Sequence, residues 1–201
     1  MLDEKTFSHG EPMVSISETN RSPVLAPQTI SCDSLPVKPL EPPDTFHLSA
    51  AIGWLGLGNW HEANEELEKI TPALRIHPDV LEIRWLIHAK AEKWDLCVDI
   101  GNALVKAVPD RSFGWLQRSF ALHVLKRTQE ALDTLSIAAF HFPNDWQIRY
   151  NLACYACQLG NHKEAQEWLR LAFSMGNAKQ VKLMALNDPD LEPLWKEIGQ
   201  P

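Results

Sequence analysis

Residues 151–173 read NLACYACQLGNHKEAQEWLRLAF. Leu152, Ala153, Ala156 and Leu159 recur at the spacing of one helical face, Gly160 and Asn161 interrupt the run, and Ala165, Leu169 and Ala172 resume it. The stretch is a helical hairpin. A two-residue turn leaves neither helix able to bury its apolar stripe on the other alone, so the unit requires neighbours and predicts further copies of itself.

The copies lie upstream. Ala63, Cys97, Ala131 and Ala165 are each 34 positions apart, and the same frame aligns Leu67, Gly101, Leu135 and Leu169, then Ile70, Leu104, Ala138 and Ala172. It also pairs Gly58 with Gly160 and Trp60 with Trp94. No run of alternating apolar residues competes with the helical period after Asp44, so the fold class is all-α. A small residue repeated once per hairpin allows paired helices to approach closely, and a 34-residue helix-turn-helix period predicts a stacked solenoid.

In this frame the chain resembles the tetratricopeptide repeat family over about residues 44–177. Trp54 and Trp115, the small residues Ala51, Ser119 and Ala153, and the prolines Pro109 and Pro143 fit the family's pattern. The resemblance implies a right-handed array of about four repeats, 44–77, 78–111, 112–145 and 146–177. Three features depart from the pattern. Trp85 stands where a small residue is usual, Gly101 replaces a large apolar one, and the proline after the first repeat falls late, at Pro78. Pro72 is an extra proline and is expected to end the preceding helix near Ile70 or Thr71, since a helix-interior proline loses a hydrogen bond and clashes with the turn before it.

The array is expected to end in a helical cap over 178–201. Ala178 to Ala185 (AKQVKLMA) suits a helix, and Asn187-Asp188-Pro189-Asp190 precedes the apolar Leu191, Leu194, Trp195 and Ile198. Asp188 or Asp190 suits a capping position and Pro189 or Pro193 a first helical position. Similar Asp-Pro-Asp-Leu segments close many arrays of the family. At the other end, residues 1–43 hold seven of the fourteen prolines, with many Ser and Thr and no sustained period, and are expected to be a disordered tail or spacer. Within it Leu35-Pro36-Val37-Lys38-Pro39-Leu40 favours extended polyproline geometry, and residues 35–43 suit an internal ligand for the array's groove.

Composition narrows the function. The 201 residues carry a formal charge of -7 with scattered Lys and Arg, which argues against nucleic acid and anionic membrane surfaces and favours a basic or neutral partner. No stretch approaches eighteen consecutive apolar residues, and the first residues lack a basic and apolar leader pattern, so a cytoplasmic location is expected. Four cysteines, Cys32, Cys97, Cys154 and Cys157, are too sparse for a disulfide framework and fit a reducing compartment.

Cys154 and Cys157 form a CxxC, but in mid-helix with no strand before it and no second CxxC, so filling helix space explains them better than a redox or zinc role. A thiol or metal site using the pair, with His123 the added ligand, stays open as an alternative. His61, His88, His123 and His162 make no HExxH, and Gly53, Gly56 and Gly58 follow no strand. Glu65, Glu66 and Glu68, beside Lys69, suit a solvated helix face. No catalytic residue, cofactor or resident metal is expected, and the chain is not expected to be an enzyme.

The family resemblance implies a concave surface lined by set positions of each repeat's first helix. Carried onto this chain, these include Leu48, Ile52 and Leu55; Glu82 and Leu86; Phe113, Leu116, Phe120 and His123; and Gln147, Tyr150, Cys154 and Cys157. Family members that grip a C-terminal carboxylate use Lys and Asn there, and this chain has neither at those positions, so an apolar grip with Phe113, Phe120 and Tyr150 as anchors is expected. The expected function is a non-catalytic adaptor or scaffold binding a protein or peptide segment. A chaperone-like holder of a hydrophobic client segment is the alternative that uses the same groove.

Overall fold

The computed structural model describes residues 37–199. The expectations for residues 1–36, Cys32 and the first part of the proposed internal ligand included, lie outside the described residues, as do the last two positions of the cap. Four helical hairpins follow in order. They are α1 (Asp44–Gly56) with α2 (Trp60–Lys69), α3 (Pro78–Lys90) with α4 (Trp94–Ala107), α5 (Ser112–Val124) with α6 (Thr128–His141), and α7 (Trp146–Gln158) with α8 (His162–Met175). Then come α9 (Ala178–Ala185), a 3-10 helix over Pro189–Leu194, and α10 (Trp195–Ile198). The described residues are all-α, and among them no helix is long and apolar enough to cross a membrane.

The 34-residue period is a period of burial. Ala63, Cys97, Ala131 and Ala165 are all fully buried, and so are Ile70, Leu104, Ala138 and Ala172. Their side chains are small or aliphatic because the two helices of a hairpin and the next hairpin meet there. The turn repeats as well. Gly58, Glu92, Lys126 and Gly160 all have positive φ, between 56° and 81°, a conformation that glycine adopts freely and that opposes the Cβ of the two residues carrying one.

The departures from the family pattern have local causes. Pro72 does end its helix: α2 stops at Lys69 and Pro72 opens a 3-10 turn, Pro72–Leu74. Asp44, buried at the start of α1, accepts from the backbone N–H of Thr71 at 2.7 Å and from its hydroxyl at 3.1 Å, so the irregular end of α2 keeps its polar groups partnered. Pro78 is the first residue of α3, where a missing N–H is harmless. His77 caps that helix by accepting from the Asp79 N–H, and its Nε2 donates to the Lys38 carbonyl at 2.9 Å. Leu40 packs on the apolar cluster of the first repeat, so residues 37–43, the described part of the expected tail, are tied to the array's first helices.

Trp85 and Gly101 each join the second repeat to the third. Trp85 is fully buried and meets Phe113 and Phe120 edge-on, at ring-centroid distances of 6.2 and 6.5 Å, reaching from the second repeat to the third. Helices α4 and α5 approach closely through two glycines: a Cβ on Gly101 would lie 2.6 Å from Cβ of Arg118, and one on Gly114 would lie 2.8 Å from Cβ of Leu104.

Gly101→Ala is expected to destabilise the protein by about 1–3 kcal/mol, because backbone as well as side chain must move. Gly53→Ala, where a Cβ meets nothing within 4 Å, is expected to stabilise by up to about 1 kcal/mol through helix propensity. Urea titration of the two variants checks the contrast of sign.

Candidate functional site

First helices α1 and α3, and α5 and α7, touch across the repeat boundaries, so they form the layer on which the groove positions lie. The structure divides those positions into two groups. In repeats one to three Leu48, Leu55, Leu86, Phe113 and Phe120 are half-buried, Ile52 is 37% exposed, and Leu116 is buried. Glu82 is half-buried beside Asp79, and Arg111 donates to both carboxylates across the second and third repeats. Burial raises the Glu82 carboxyl above its usual range against the pull of that guanidinium. Phe113 and Phe120 present only part of each ring, since Phe120 also meets Trp94 edge-on at 5.8 Å.

The second group is covered by the chain itself. The 3-10 helix Pro189–Leu194 lies on α7 and also reaches α8, and Leu191 and Leu194 are buried beneath it. Tyr150 and Cys154, both buried, donate to Oδ2 of Asp188 at 2.8 and 3.6 Å. His123 Nε2, whose other ring nitrogen pairs with the Thr128 hydroxyl at 3.0 Å, donates to Oδ2 of Asp190 at 2.9 Å. Gln158 donates to the Asp190 carbonyl at 2.9 Å. Asp188 is also the cap of the 3-10 helix, accepting from the Asp190 N–H at 3.0 Å. Asp190, the other capping candidate, instead faces His123. Gln147 remains half-exposed at the start of α7, its N–H bonded to the capping Asp145.

Tyr150, expected as an aromatic anchor for a partner, therefore holds a carboxylate of the C-terminal segment. Cys154 and Cys157 lie at its side, both buried. Burial, then the carboxylates of Asp188 and Asp190, pushes the Cys154 thiol well up, and the same causes raise Cys157. Such thiols stay protonated, the opposite of what a nucleophilic or metal-binding thiolate needs. Among the described residues no group of three or more His, Cys, Asp or Glu side chains is placed to hold a metal ion.

The family resemblance carried no sign of Asp188, Asp190 and Gln158 as partners of groove residues. The Asp-Pro-Asp-Leu pattern marked a cap, but the face it covers is set by how α9 turns the chain back after Ala185. Trp195 fixes that return: its indole N–H is shared between the carbonyls of Ala185 at 3.0 Å and Asp188 at 3.2 Å.

Four hairpins in one 34-residue frame, with their first helices in one layer, define a tetratricopeptide-repeat array. Comparison with known proteins agrees on the fold. The chain superposes on a thermophilic tetratricopeptide-repeat protein of Thermus thermophilus with a TM-score of 0.62 at 19% identity, covering 78% of this chain and 83% of that one. For MamA of Desulfovibrio magneticus the TM-score is 0.60 at 16% identity, over 77% and 90% of the two chains. In sequence it is similar to the peroxisomal targeting signal receptors of Eremothecium gossypii, 28% identical over 148 residues, and Candida glabrata, 29% identical over 100 residues. The matches cover 73% and 50% of this chain, which spans only 24% and 17% of those receptors. No family model matches the chain.

The buried thiols predict a pH dependence. Burial pushes Cys97 up to about 12 and raises Cys154 and Cys157, whereas an unfolded thiol ionises near 8.5, so above that pH the unfolded state releases protons that the folded state keeps. Stability is expected to be full below about pH 8 and to fall as pH rises, by at most about 1.4 kcal/mol per pH unit for each thiol. Urea midpoints measured from pH 7 to 10 check this, and Cys97→Ala should flatten the decline.

Proposed function

We propose that the chain is a non-catalytic adaptor that binds a protein segment on the first-helix face of repeats one to three. The observation that carries this is the division of the groove: Leu48, Ile52, Leu55, Leu86, Phe113 and Phe120 keep apolar surface uncovered along successive first helices, while Tyr150 and Cys154 of the fourth repeat are buried and bonded to the C-terminal segment. A row of partly exposed apolar side chains on a rigid layer suits an apolar strip of an extended or helical segment, with affinity from buried area and little ordering cost on the array's side. The carboxylates of Asp79 and Glu82 at the rim, with Arg111 between them, would favour a polar or basic residue beside that strip.

The sequence similarity to a targeting-signal receptor and the structural similarity to repeat proteins support recognition of a protein or peptide in general. A holder of clients would use the same face, and the two are told apart by whether capture yields one protein or a mixture.

The test is site-specific photocrosslinking. A crosslinking residue at position 52 is expected to capture the partner, and Ile52→Asp to weaken retention about ten-fold or more, with the melting temperature within a few degrees of wild type. Phe140→Asp, at an 85% exposed position on the second-helix layer, should leave retention unchanged. Crosslinks from position 140 but none from position 52 would overturn the proposal.

A further inference from the structure

The face under the C-terminal segment has one kind of chemistry. The hydroxyl of Tyr150, the thiol of Cys154, Nε2 of His123 and the amide of Gln158 all donate toward the segment, and each is met by an oxygen of Asp188 or Asp190. The donors come from α5 and α7 and the acceptors from residues two apart in sequence. The next residue, Leu191, is fully buried, with Leu194 one turn on, in a segment that packs on α7 and α8. Aspartate, a spacer, aspartate and leucine thus occupy an inner face as a bound peptide would.

The segment also holds its own shape. Asp188 caps the 3-10 helix from within, and Trp195 ties Asp188 to Ala185, both inside the C-terminal cap. None of these bonds involves α5 or α7, so the polar contacts that shape the segment are separate from those that join it to the face.

We infer that residues 188–194 are a built-in pseudo-ligand, that the face formed by His123, Tyr150, Cys154 and Gln158 is a binding site for an acidic protein segment of the pattern Asp-x-Asp followed by an apolar residue, and that a partner carrying this pattern binds by displacing the chain's own copy. The inference rests on the groove-binding reading above and extends it by naming the partner chemistry for the half of the groove that is closed in cis. Occupancy of the two halves is then linked, since α5 carries Phe113 and Phe120 on the open side and His123 on the closed one. Among the described residues, none of these four hydrogen bonds to the acidic segment comes from a Lys or Arg. Specificity comes from uncharged and imidazole donors, of which Tyr150 and Cys154 are buried, where an unmet donor is costly.

The experiment uses the full chain, a fluorescent synthetic peptide spanning residues 186–199, and the thiols as reporters. Tyr150→Phe and Asp190→Ala each remove one cross-contact while leaving the Asp188 cap in place. In these variants Cys154 and Cys157 are expected to react with N-ethylmaleimide about ten-fold faster than in wild type, the loss of one buried hydrogen bond. Cys97, fully buried in the second repeat, should keep its wild-type rate. The peptide should bind Asp190→Ala about ten-fold more tightly than wild type and slow the two thiols again, because the competing copy is weakened and the face is intact. A peptide with both aspartates replaced by alanine should do neither.

If Cys97 accelerates together with Cys154 and Cys157 in both variants, the segment is an inseparable part of the fold and the inference fails. It fails equally if the peptide binds no variant, or binds without regard to its aspartates. Neither readout involves the open half of the groove, so this result stands apart from crosslinking at position 52.

Discussion

Each hairpin of the array buries its apolar face only against the next hairpin, and this dependence on neighbours governs the rest of the structure. It demands a small, fully buried residue at one place in every repeat, met by Ala63, Cys97, Ala131 and Ala165. It brings α4 and α5 close enough that Gly101 and Gly114 leave no room for a Cβ, and it buries Trp85 against Phe113 and Phe120 of the next repeat. It also leaves the last repeat with a face that has no fifth hairpin to cover it.

The chain meets that last requirement with a segment that turns back. Helix α9 continues the stack, but the 3-10 helix after it crosses onto α7, a first helix, so the closing element takes up inner-face positions as well as ending the solenoid. Burial of Leu191 and Leu194 supplies the apolar part of this contact, and Asp188 and Asp190 supply its polar part by accepting from Tyr150, Cys154 and His123. Asp188 serves two purposes with two oxygens, capping its own helix with one and bonding the array with the other.

The same geometry determines how the cysteines behave. A CxxC in mid-helix has no free helix N-terminus to stabilise a thiolate, and here it is also buried beside carboxylates. Packing and hydrogen bonding are the roles its surroundings support. Phe113 and Phe120, both half-buried, pack on Trp85 and so help join the second repeat to the third.

The sequence by itself determined the repeat unit, its period, the helix pairs, the proline that ends α2 and the cap, because these follow from local propensity and from a 34-residue pattern of small and aliphatic residues. Positive φ recurs at Gly58, Glu92, Lys126 and Gly160, yet only the two glycines announced it; a helix pair joined by so short a turn imposes the conformation whatever residue stands there. Which groove positions are open was decided by the tertiary structure alone. Cys154 and Ile52 occupy equivalent positions in the repeat frame, three periods apart, and one is buried while the other is exposed. The difference is made by Asp188 and its neighbours, which arrive on α7 from more than thirty residues away through a turn whose direction is fixed by Trp195. Contacts of that kind depend on packing between distant segments, and no spacing along the chain encodes them.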